Sequence, residues 1–119
     1  MLTEDIIKEE NGFFTAVRAD IAERAKDKAF NGVTYGFDTA DSFAEEFRVQ
    51  ILRDRAERNS PFWRIAVCGI FPDGSGRALS HFIFKGTLDE AVEYFNSEKF
   101  QNEVYNEVLS IDNSIKKHD

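Results

Sequence analysis

From residue 62 the chain runs Phe62-Trp63-Arg64-Ile65-Ala66-Val67-Cys68-Gly69-Ile70-Phe71, then Pro72-Asp73-Gly74-Ser75-Gly76, then Arg77 to Lys85. Two stretches rich in β-branched and aromatic residues flank a Pro/Asp/Gly cluster able to supply turn conformations, and this pattern predicts a β-hairpin. Pairing the strands symmetrically about the 72–76 loop sets Cys68 opposite Ser80 and His81 opposite Val67. Residues one apart along a strand lie on opposite sheet faces, so this register points the thiol and the imidazole away from each other. The flanking sequence has helical periodicity, which makes the fold class α+β.

Thr3 is placed to cap a short first helix through about Glu10, stopped by Asn11-Gly12. Phe14, Val17, Ile21 and Ala25 recur on one face of a second helix that ends at Asn31-Gly32. Val33 to Phe37 is too short for a helix and reads as a short strand or an extended loop. Asp38 or Thr39 caps a third helix with a buried stripe of Ala40, Phe43, Ala44, Phe47 and Ile51, broken at Asn59-Ser60-Pro61. Thr87 and Glu90 form a capping box for a helix that turns Leu88, Ala91, Val92 and Phe95 inward. After a break at Asn96-Ser97, Ser97 caps a last helix with a seam of Phe100, Val104, Val108, Ile111 and Ile115.

The expected order is α-α-(β)-α-β-β-α-α: a small antiparallel sheet, with its hairpin at about 62–84 and an optional third strand at 33–37, packed against four or five helices. Two strands alone are marginal, so a third strand or pairing with another copy of the chain is expected. Phe47, Ile65, Ile83, Val104 and Val108 are expected to be buried.

Composition sharpens the reading in three places. The 119 residues suit one domain, 1–119, with 42% apolar and 31% charged residues and no linker or repeat. Twelve Phe stand against five Leu, so a few large rings are expected to fill much of the core. The single cysteine, Cys68, excludes an internal disulfide framework and a thiolate zinc site. An acid-bearing N-terminus and the lack of a run long enough to cross a bilayer lead us to expect a soluble, cytoplasmic protein.

The net charge of −7 is unevenly spread. Residues 59–86 carry Asp73 against Arg64, Arg77 and Lys85, whereas residues 87–119 carry eight acids against Lys99, Lys116 and Lys117. Such an acidic pole disfavours unassisted contact with nucleic-acid backbones and attracts a basic protein. Glu98, Glu103, Glu107 and Asp112 are the expected contacts. The hairpin tip, through Asp73 and Arg77, is a second candidate surface.

Catalytic chemistry finds little support. Cys68 and His81 are a conceivable nucleophile and base, but the register separates them. Asp38 and Asp41 suit a helix entrance better than acid–base duty. No HExxH, calcium loop or two-histidine ligand pair is present, and no cofactor or metal is expected. The Asp73-Gly74-Ser75-Gly76 loop joins strand to strand, so it is turn chemistry and not a phosphate cradle.

Phe62, Trp63, Phe71, Phe82 and Phe84 interleaved with Arg64, Arg77 and Lys85 have the ingredients of an RNA-stacking sheet. Their order departs from the known pattern, and the rings are expected to be needed for the core. Arg48, Arg53, Arg55 and Arg58 cluster on the expected third helix, where Glu45, Asp54 and Glu57 can pair with them.

The expected function is therefore non-enzymatic. The chain reads as an acidic inhibitor or adaptor that presents a helical face to a basic partner, such as a nucleic-acid-handling enzyme targeted by a mobile element. The alternative is a small ligand-binding or sensory domain with a pocket between helices and sheet.

Overall fold

A computed structural model describes residues 11–39, 41–55 and 60–117. Helix α1 (Asn11–Arg24) leads into strands β1 (Gly32–Phe37), β2 (Glu46–Arg53), β3 (Phe62–Ile70) and β4 (Ala78–Thr87). Helices α2 (Leu88–Phe95) and α3 (Glu98–Lys117) follow. The class is α+β, and the four strands pair antiparallel in the order β1-β2-β3-β4.

The hairpin has the expected register, with Cys68 opposite Ser80 and Val67 opposite His81. One irregularity interrupts it. Ile65 and Ala66 are consecutive on β3, yet they pair with Phe84 and Phe82, so Ile83 is an extra, bulged residue on β4. This explains why Ile83, expected in the core, is only half-buried.

Three helices are described, not four or five, and the main correction concerns residues 38–58. The expected third helix is replaced by a loop and β2. Phe47, Val49 and Ile51 alternate with Arg48, Gln50 and Leu52, and the strand buries the odd-numbered set. Asp38 and Asp41 consequently cap no helix; Asp41 sits in the loop with φ 63°. The segment 33–37, for which the sequence allows strand or loop, is part of β1, paired to β2 from Gly32↔Leu52 to Phe37↔Phe47.

The expected first helix at 3–10 lies outside the described residues. Asn11-Gly12 opens α1, which ends at Arg24, short of Asn31-Gly32. The intervening chain turns back on itself, with the Asp27 carboxylate accepting from the Ala29 amide at 2.9 Å.

The C-terminal helices form as their caps dictate. The Thr87 side chain accepts from the Glu90 amide while Glu90 reaches back to the Thr87 amide. Ser97 Oγ accepts from the Phe100 amide at 3.2 Å and so starts α3.

All three helices cover one face of the sheet. Phe47, Val49, Ile51, Trp63, Ile65 and Val67 meet Phe14, Phe95, Phe100, Val104, Val108, Ile111 and Ile115 there. Phe100 is central, its ring 4.5 Å from Phe95, 5.6 Å from Tyr94 and 6.0 Å from Phe14, centroid to centroid.

Gly69 lets α3 approach β3. A Cβ there would press into Ile111 Cγ2 and lie 2.9 Å from Ile115 Cδ1. Gly69→Ala is expected to cost about 1–3 kcal/mol by overpacking, read as a lowered urea midpoint.

Candidate functional site

β4 and α3 border an open groove of about 340 Å³ lined by Phe82, Ile83, Glu103, Asn106 and Glu107. Helix periodicity puts Glu103 and Glu107 one turn apart, while the buried 100/104/108/111/115 seam fixes α3 from the other side. The β4 bulge adds Ile83 to the groove, and Phe82 flanks it from the far side of the strand.

Each carboxylate is oriented from within. Glu107 Oε2 lies 2.7 Å from His81 Nδ1, tying α3 to β4. The Tyr94 hydroxyl donates to Glu103 Oε2. Burial first, and then the Glu103 carboxylate, push the Tyr94 phenol well above its ordinary range, so it remains a donor. Lys99 Nζ approaches Glu103 Oε1 at 3.7 Å. An ionised carboxylate has about four acceptor sites, so these contacts leave capacity for an incoming cation. The structure thus brings together Glu103 and Glu107, both expected as contacts, with His81 and Tyr94, which the sequence reading had not joined to them.

The other expected contacts lie elsewhere. Glu98 is exposed in the first turn of α3. Asp112 is only 3% exposed, and its Oδ1 accepts from the Phe43 and Ala44 amides at 2.9 Å each. It belongs to the interior and is withdrawn from the acidic face. Asp73 and Arg77 pair at 3.2 Å at the exposed hairpin tip, where Asp73 also accepts from the Ser75 amide.

A His oriented by a carboxylate is half of an acid–base relay, and a reacting group must share its face. Cys68 does not: its thiol is 3.0 Å from Ser80 Oγ and 3.4 Å from Gln50 Oε1 on the opposite side of the sheet. Among the described residues no group of three or more His, Cys, Asp or Glu converges as a metal site.

The face away from the helices carries a second constellation. Register places Thr34, Gln50, Ala66 and Phe82 in one row, and Gly32, Leu52, Arg64 and Lys85 in the next. Phe62 and Phe82 are 41% and 57% exposed, the two large exposed hydrophobics among the described residues. Arg64 lies over Phe82 at 4.9 Å and Lys85 over Phe62 at 5.4 Å. Both cations also approach the buried Asp54 carboxylate, at 3.7 Å and 3.2 Å.

The expectation that these rings fill the core therefore divides. Trp63 and Phe71 are buried and Phe84 packs against the core, whereas Phe62 and Phe82 face out. The expected arginine cluster also disperses. Arg48 pairs with Glu46 on the face turned away from the described helices, Arg53 lies over Trp63, and Arg58 falls outside the described residues.

No family model matches the chain, and neither does any curated protein or solved structure. Among the described residues no helix is long and apolar enough to cross a membrane.

Proposed function

We propose that the protein acts by binding, not catalysis, as an inhibitor or adaptor whose β4–α3 groove receives a basic segment of a partner protein. A nucleic-acid-handling enzyme with a basic groove, blocked on behalf of a mobile element, is the type of target that this chemistry suits. The observation that carries the reading is the pairing of Glu103 and Glu107 on one groove wall with Phe82 and Ile83 on the other. A Lys or Arg side chain can lay its alkyl stem along the apolar wall and bring its charge to the carboxylates. Both carboxylates are about two-thirds shielded from solvent, so their field is screened less than that of a fully exposed rim charge.

The test is a double Glu103→Gln/Glu107→Gln variant, since an amide oxygen can still accept from Tyr94 and keep the groove's shape. With a partner isolated by affinity capture from the native host, association should slow by roughly tenfold at low salt and lose most of its salt dependence. The melting temperature should change little. Unchanged kinetics would refute the groove as the contact and direct attention to Asp73 and Arg77 at the hairpin tip.

A further inference from the structure

We infer that the sheet face turned away from the three described helices is a binding site for single-stranded nucleic acid, with Phe62 and Phe82 stacking two bases and Arg64 and Lys85 meeting the phosphates between them. The site shares Phe82 with the edge of the acidic groove but uses none of its carboxylates, and it stands without the basic-partner reading. Of the five rings that the sequence assigns to the core, these two are not inside.

The layout is aromatic, cation, aromatic. Phe62 lies opposite Thr87, the next row on this face holds Arg64 and Lys85, and the one after holds Ala66 and Phe82. Four residues of β3 separate the two ring rows, about 13 Å at strand rise. Bases stacked in a duplex are about 3.4 Å apart, so the two rings can only take bases splayed out of a single strand.

The cations stand between the rings and, among the described residues, two of them share the one Asp54 carboxylate. Both are partly exposed, at 36% for Arg64 and 51% for Lys85, whereas Asp54 is buried. A phosphate therefore meets the positive side of this cluster. Arg64 already lies over Phe82, and a guanidinium plane on a ring is itself a surface on which a base stacks. An acidic protein segment would satisfy the cations but offers no planar partner for the two rings. The overall charge of −7 opposes any polyanion, so the binding is expected to be weak and best seen at low salt.

Fluorescence anisotropy with a labelled oligothymidylate of about 12 nucleotides, beside a duplex of the same length, tests the assignment. The single strand should bind saturably, with the duplex at least about tenfold weaker. Phe62→Ala and Phe82→Ala should each weaken binding by about tenfold. Phe62→Leu and Phe82→Leu, which keep apolar bulk without the π-face, should also weaken it and thereby separate stacking from general stickiness. Lys85→Gln should reduce the slope of log K against log salt by about 0.7, the share of one phosphate on a single strand.

Four results would overturn the proposal. These are no saturable binding of the single strand at low salt, equal affinity for the duplex, and retention of affinity in the double Phe62→Ala/Phe82→Ala variant. The fourth is poly-glutamate binding as tight as the oligonucleotide, which would make the face a site for an acidic protein instead.

Discussion

Replacing Asp112 with Ala should destabilise the protein by about 3–5 kcal/mol, a large part of the total stability of a domain this size. The carboxylate is buried and holds the amides of Phe43 and Ala44 with one oxygen. Truncation removes two charge-assisted hydrogen bonds and leaves two amide donors without their acceptor, each costing about 1–3 kcal/mol where water cannot replace it. Asp112→Asn retains an acceptor oxygen and should cost only about 1 kcal/mol. Urea unfolding of the two variants measures the difference directly. Equal losses would mean that charge, and not the acceptor, matters at this position.

Phe100→Ala should cost about 3–5 kcal/mol, because the ring is fully buried and its removal opens a cavity among Phe14, Tyr94 and Phe95. These three rings belong to α1 and α2, so the loss should loosen the whole helical layer and not one contact. Phe82→Ala is the matched control. That ring is exposed, and its removal should change stability by no more than about 0.5 kcal/mol. Thermal melts of the pair distinguish an interior ring from a surface one. A loss of similar size in both would place Phe82 in the core and remove it from the stacking platform.

Where local chemistry decides structure, the sequence is readable. The Pro72–Gly76 turn, the alternation on either side of it and the Thr87/Glu90 box are specified within a few residues, and each forms as expected. Residues 38–58 are different. Ala40, Phe43, Ala44, Phe47 and Ile51 fit a helical stripe, while Phe47, Val49 and Ile51 fit a strand. Periodicity cannot choose between them. The choice is made by distant partners: β3 buries Ile65 and Val67 between two strands, and β2 supplies the second.

The candidate groove divides in the same way. That Glu103 and Glu107 are neighbours follows from the helix repeat, and that His81 shares a face with Val67 follows from the register. That the two elements meet depends on how α3 docks, which rests on Gly69 and the bulge at Ile83. Phe62 alternates with the buried Trp63, which signals its outward turn, whereas Phe82 shares the parity of Phe84 and faces out only because Ile83 is bulged between them, which alternation alone does not reveal.

Strand order sets the timing of folding. Each strand pairs with its immediate neighbour in the chain, so the sheet can zip outward from the β3–β4 hairpin with only short loops to close. The Asp112 clasp closes a span of 68–69 residues and needs α3 already seated on the sheet. It belongs on the native side of the folding barrier. Asp112→Ala should therefore speed unfolding while leaving the refolding rate nearly unchanged, and this aspartate governs how long a folded molecule lasts more than how quickly one is made.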